Sequence, residues 1–133
     1  EANKLLKDIN EDTYCLKVTF EYSTMEEFAI TLKTDGKYDK TAFTYNPEKQ
    51  ILYGETSNPG KDAPTSCVSG HLDSKNNTLT AEIFVDRSLV EGFFNNDKAL
   101  SIRSYCENNT STGIVLTGNE EMKIKELTVI RLK

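Results

Sequence analysis

Tryptophan is absent from this 133-residue chain, histidine occurs once (His71), and its three cysteines offer no Cys-x-x-Cys spacing. With one histidine and the scattered thiols Cys15, Cys67 and Cys106, a zinc ligand set is missing, and no metal is expected. The thiols read as small, buried or half-buried groups. One disulfide plus a spare thiol is the alternative for an exported protein. No Gly-rich loop opens a helix, so the common phosphate cradle is lacking and no cofactor is expected. No stretch approaches the roughly 20 apolar residues of a membrane span. Positive charge is also short: Lys+Arg 16 against Asp+Glu 21 leaves −5. An acidic chain lacks the clustered Lys and Arg that phosphate backbones and anionic surfaces require, so no nucleic acid and no membrane is expected as a partner.

What is present suits one soluble domain spanning residues 1–133, long enough to bury about 68% of its unfolded surface. The chain opens Glu1-Ala2-Asn3-Lys4, with neither an initiator Met nor a signal segment, and reads as a fragment of a longer protein.

Alternation dominates the patterning. Tyr14, Leu16, Val18, Phe20 and Tyr22 alternate with Cys15, Lys17, Thr19 and Glu21, which predicts a strand with one buried face. Phe28–Leu32, Ala42–Tyr45, Ile51–Tyr53, Leu79–Val85, Leu89–Phe94, Ala99–Tyr105, Gly113–Leu116 and Met122–Leu132 continue the series. Turns fall at Asp35-Gly36, Asn46-Pro47 and the Asn pairs 76–77, 95–96 and 108–109. Only Leu5, Leu6 and Ile9 have helical spacing, too short a run to predict a helix. The many threonines favour strands. The expected fold is all-β: an antiparallel two-sheet β-sandwich of lectin-like (concanavalin A-like) jelly-roll form. Gly54 to Gly70 has no alternation and is expected to be a long loop crossing from one sheet to the other.

Chemistry-bearing patterns are few. His71 has no nucleophile elbow around it and reads as structural or solvent-exposed. The sequons at Asn76, Asn108 and Asn109 mark exposed turns. Asp86 and Glu91 are the natural pair of carboxylates for glycoside chemistry, yet Asp86 precedes the turn Asp86-Arg87-Ser88, where capping of backbone N–H groups is the simpler role.

The stretch Ile83-Phe84-Val85-Asp86-Arg87-Ser88-Leu89-Val90-Glu91-Gly92-Phe93-Phe94-Asn95 resembles the signature of the C-terminal β-sandwich of glycoside hydrolase family 32, the invertases, levanases and inulinases. Asp86, Arg87, Ser88, Val90, Glu91, Phe93 and Asn95 match it. Ser69-Gly70, Thr44-Tyr45-Asn46 and the closing 127–133 strand are weaker echoes. Gly92 departs from the usual β-branched residue, Asn95-Asn96-Asp97-Lys98 from the common Asn-Asp-Gly turn, and Thr65-Ser66 from an Asp-Arg pair. The family's catalytic motifs belong to an N-terminal propeller and are not matched here: there is no Trp-Met-Asn-Asp and no Arg-Asp-Pro, and Cys106-Glu107 reverses the order of the acid/base motif.

The resemblance therefore implies no catalytic residue in this chain. It implies an accessory module whose partner is the catalytic propeller domain of the same polypeptide, the parent being a β-fructosidase-type hydrolase. A related group, carbohydrate-binding module family 66, holds the terminal fructose of levan, so fructose or fructan binding is the alternative role. Long fructans do not cross membranes intact, so an extracellular or cell-surface bacterial setting is expected, with a cytoplasmic one left open.

Any sugar site is expected at Asp86, Arg87, Glu91, Arg103 and Tyr105. If the loop after Phe94 holds an odd number of residues, Glu91, Arg103 and Tyr105 share a face and Glu91 lies diagonal to Arg103. Carboxylates would accept sugar hydroxyls, an arginine would donate, and Tyr105 would pack on the ring. The competing expectation is a structural Glu91–Arg103 ion pair closing the face.

Overall fold

The computed structural model describes residues 2–36, 39–57, 67–73, 76–104, 111–119 and 121–132. Ten strands follow one short helix, α1 (Ala2–Leu6): β1 (Thr13–Tyr22), β2 (Phe28–Thr34), β3 (Lys40–Asn46), β4 (Ile51–Ser57), β5 (Cys67–His71), β6 (Thr78–Asp86), β7 (Leu89–Phe94), β8 (Lys98–Arg103), β9 (Gly113–Thr117) and β10 (Met122–Arg131). They form two five-stranded sheets, ordered β10-β1-β6-β7-β8 and β5-β4-β3-β2-β9. Every neighbouring pair is antiparallel. This is the expected β-sandwich.

Period-two patterning decides which residues meet between the sheets. Leu16, Val18 and Phe20 of β1, Leu79 to Val85 of β6 at alternate positions, and Val90 and Phe94 of β7 are buried on the inner face of the first sheet. Phe28, Ile30, Leu32, Phe43, Tyr45 and Leu52 answer them from the second. Phe20 and Phe28 join across the layers with ring centroids 5.2 Å apart, and Phe43 and Phe94 do so at 5.3 Å.

Two glycines make the second contact possible. A Cβ on Gly92 would lie 2.6 Å from the Phe94 ring, and one on Gly54 would lie 2.9 Å from the Phe43 ring. The departure from a β-branched residue at position 92 is thus a volume exchange, with the Phe94 ring occupying the space.

Two expectations need correction. The segment Gly54–Gly70 is not one loop between sheets. Its ends are strand, Glu55 to Ser57 in β4 and Cys67 to Gly70 in β5, and β5 pairs with β4 in the same sheet. Residues 58–66 lie outside the described residues. The strand β5 escapes a pattern search because Gly70 stands at an inward position, where the aliphatic stem of Lys98 lies 3.2 Å from the place of a Cβ.

The opening residues also form a helical turn. Leu6 is buried in the core, and Lys7 N donates to the Asn3 carbonyl at 3.1 Å. Tertiary anchoring stabilises this short helix, which propensity alone would not. Its Asn3 side chain donates to the Leu116 carbonyl at 2.9 Å and accepts from the Leu116 N–H at 2.7 Å, occupying the free edge of β9.

Of the cysteines, Cys15 is free and buried. Burial is the chief reason its thiol pKa is raised, with the Glu82 charge adding to the effect. Cys106 lies outside the described residues.

Candidate functional site on the outer face of the first sheet

The turn between β6 and β7 has two residues, Arg87 and Ser88, since Asp86 pairs with Leu89. The loop between β7 and β8 has three, since Phe94 pairs with Lys98. The odd count fixes the register. Leu89 faces Arg103, Glu91 faces Ser101 and Phe93 faces Ala99.

Three rows therefore cross the solvent side of the sheet: Thr13, Asp86, Leu89 and Arg103; Cys15, Phe84, Glu91 and Ser101; Lys17, Glu82, Phe93 and Ala99. Glu91 and Arg103 share this face on a diagonal, and Asp86 joins them. Arg87 is exposed at the adjoining turn, with φ 55° and its N–H donating to the Asp12 carbonyl at 2.9 Å. Tyr105 lies outside the described residues.

Neither structural role expected for these side chains is found. Among the described residues Glu91 and Arg103 make no ion pair. Arg103 Nη1 instead donates to Ser88 Oγ at 3.1 Å, and Ser101 Oγ donates to Glu91 Oε2 at 3.4 Å. Nearer hydroxyls satisfy both groups, whereas diagonal neighbours in a sheet stand about 7–8 Å apart. Asp86 accepts no backbone N–H among the described residues, and the Arg87 N–H is bound to the Asp12 carbonyl. Its carboxylate is exposed, with no hydrogen bond or ion pair among the described residues.

The signature residue Asn95 has a structural task. It adopts φ 55°, its Oδ1 accepts from Thr80 N–H at 2.8 Å, and its own N–H donates to the Thr80 carbonyl at 2.9 Å. These bonds prolong the β6–β7 ladder and hold Asn96, also left-handed at φ 54°, in one pose.

The polar cluster continues into an aromatic pair that sequence reasoning missed. Phe84 and Phe93 project from the same face, edge to face with centroids 5.9 Å apart, and Phe93 is 41% exposed. The signal was available, because a two-residue turn at 87–88 sets the outward parity of Phe84 and Phe93 together. Beside them, Lys17 Nζ meets Glu82 Oε2 at 3.0 Å, and this hydrogen bond raises the lysine pKa.

A second feature lies at the opposite edge of the sandwich. An open groove of ≈ 770 Å³ runs between α1, β9 and β10, with Leu5, Met122, Ile124 and Leu127 among its apolar lining. Leu5 is 69% exposed and Ile124 36%.

His71 Nε2 meets Asp73 Oδ1 at 2.6 Å in an exposed pair, and no serine is bonded to it among the described residues. No group of three or more His, Cys, Asp or Glu side chains among the described residues is placed to hold a metal ion. No helix among them is long and apolar enough to cross a membrane.

Comparison with known proteins agrees with this architecture. A levanase from Bacillus subtilis (strain 168) is 28% identical over 140 residues, covering 99% of this chain and 20% of the levanase. The exo-inulinase from Aspergillus awamori superposes with a TM-score of 0.74 at 20% identity, covering 91% of this chain and 25% of that one. The carbohydrate binding module CBM66 from Bacillus subtilis superposes with a TM-score of 0.69 at 5% identity, covering 92% of this chain and 78% of the module. The chain thus spans about a fifth to a quarter of the enzymes it resembles. The family described as "Glycosyl hydrolases family 32 C terminal" matches residues 1–131, and the chain belongs to it as the accessory β-sandwich module of such an enzyme.

Proposed function

We propose that this module packs against, and supports, the catalytic domain of a sucrose- or fructan-acting glycosidase of β-fructosidase type within one polypeptide. The observation that carries this reading is the match of residues 1–131 to a family described as C-terminal, together with the likeness to a levanase about five times the chain's length. The open apolar groove beside α1, β9 and β10 supports it, since exposed Leu5 and Ile124 are suited to burial against another domain.

The test compares the whole polypeptide with one lacking the module. Loss of the module lowers the melting temperature of the catalytic domain, and Leu5→Asp with Ile124→Asp reproduces most of that loss. An unchanged melting temperature in both would refute the reading. The isolated module releases no fructose from sucrose or levan.

A second reading is favoured by the register itself, which gathers Asp86, Glu91 and Arg103 on one solvent face with Arg87 at its rim. These groups suit recognition of fructose or fructan hydroxyls, the carboxylates accepting and the guanidinium donating. Affinity electrophoresis in levan, inulin and an unrelated glucan tests this. Retardation by a fructan that disappears in Glu91→Ala supports it, and equal mobility in every gel refutes it. An extracellular or cell-surface setting accompanies both readings.

A further inference from the structure

We propose that the ring of Phe93 is a stacking platform for a neutral sugar residue, with Asn96 and Asp97 as its hydrogen-bonding rim. This takes its ligand class from the second reading above but rests on different residues. An open hollow of ≈ 500 Å³ lies against the ring, lined by Glu82, Phe84, Phe93, Asn96, Asp97, Lys98 and Ala99. It exists because Ala99, directly across from Phe93 on β8, is too small to cover the aromatic face. Phe84 presses edge to face on Phe93 from the neighbouring strand, so the ring is fixed in place before any ligand arrives. A rigid ring loses little conformational freedom on binding.

The rim has the chemistry of a polyol site. Asn96 offers both a donor and an acceptor, is exposed, and makes no side-chain hydrogen bond among the described residues. It is presented by a turn that Asn95 bolts to β6. Asp97 accepts, while the Lys98 side chain turns to the inner side of the sheet, its stem resting on Gly70. Charge around the hollow is low: Glu82 is paired with Lys17, which leaves Asp97 as the acidic group of the rim. A phosphate or a strongly charged peptide gains little from such a rim, whereas an uncharged ring with an apolar C–H face and a hydroxyl edge matches ring and rim together. From Leu89 to Phe93 the face runs about 14 Å along the strand, enough for more than one sugar unit between the Arg103 cluster and the platform.

The experiment is an amide-shift NMR titration of the ¹⁵N-labelled chain with a levan tetrasaccharide, repeated on Phe93→Ala, Ala99→Leu and Glu91→Ala. The expected result is movement of the Phe93, Asn96 and Ala99 amides. Affinity falls about tenfold in both Phe93→Ala and Ala99→Leu, while the melting temperatures stay within a few degrees of the parent. Shifts confined to residues 86–91 and 101–103, abolished by Glu91→Ala, would overturn the platform and leave the second reading standing. No shift anywhere would sink both. If Phe93→Ala leaves the titration unchanged and instead lowers the melting temperature of the whole polypeptide, the ring is a domain contact and the proposal fails.

Discussion

Asn3 and Leu116 exchange two hydrogen bonds, the side-chain amide of one reading both backbone groups of the other. A single carboxamide here replaces a neighbouring strand, closing the edge of β9 at Leu116. An open edge invites pairing with another chain, and this device blunts it.

Asn3→Ala is therefore expected to cost about 1–3 kcal/mol in denaturant unfolding, two net hydrogen bonds' worth, and to increase self-association measured by light scattering. Asn3→Asp discriminates the mechanism. It retains the acceptor for Leu116 N–H but not the donor for the carbonyl, so its loss falls between wild type and Asn3→Ala.

The pairing of Gly92 with Phe94 yields a coupled prediction. Gly92→Val, which restores the side-chain type usual in the resembled signature, drives methyl groups into a ring that has no room. A loss of about 1–3 kcal/mol is expected. Phe94→Leu in the same chain makes space, and the two changes together destabilise by less than the sum of the single changes. Strict additivity in a double-mutant cycle would contradict the volume exchange.

Two buried phenols should answer differently to loss of the hydroxyl. Tyr45 Oη donates to the Leu72 carbonyl at 2.8 Å, while Tyr14 Oη is buried without a partner among the described residues. Tyr45→Phe strands a carbonyl and is expected to cost about 1–2 kcal/mol, whereas Tyr14→Phe relieves an unsatisfied group and is neutral or stabilising by up to about 1 kcal/mol. Thermal melts of the two variants check this ordering, and its reversal would refute it.

Burial pushes the Tyr14 and Tyr45 phenols and the Cys15 thiol up from their ordinary values. The folded chain thus holds these protons after the unfolded chain has released them. Stability is undiminished by these groups below the unfolded values, about 8.5 for Cys and about 10 for Tyr. It falls as pH rises above them and levels off beyond the folded values. Urea midpoints measured from pH 7 to 11 should decline, most steeply above about pH 10, and the decline should shrink in Tyr14→Phe.

Much of this architecture is legible in the sequence, for identifiable reasons. Tyr14–Tyr22 and Leu79–Val85 alternate strictly because one face of each meets the other sheet, and strand candidates so patterned appear within a residue or two of their observed limits. β5 was illegible because a glycine fills an inward position, covered by a lysine stem from the first sheet. α1 was illegible because its stability comes from Leu6 and Asn3 docking on distant residues. At the site, loop parity correctly put Glu91 and Arg103 on one face. The hydroxyls of Ser88 and Ser101, which draw those two side chains apart, depend on cross-strand distances no spacing rule contains. Phe84 and Phe93 were hidden by their chemistry, since apolar residues next to a core-facing Phe94 look like more core.

The strand β7 is read from both sides: Val90, Gly92 and Phe94 belong to the interior, and Leu89, Glu91 and Phe93 to solvent. Adding or removing one residue within it would exchange the two sets wholesale, placing Glu91 among phenyl rings and Phe94 in water. The surface can thus diversify only by replacing letters, never by changing their number. Relatives that keep this hairpin's length should hold apolar residues at 90 and 94, and among the outward positions should differ most at 89, which lies outside the signature.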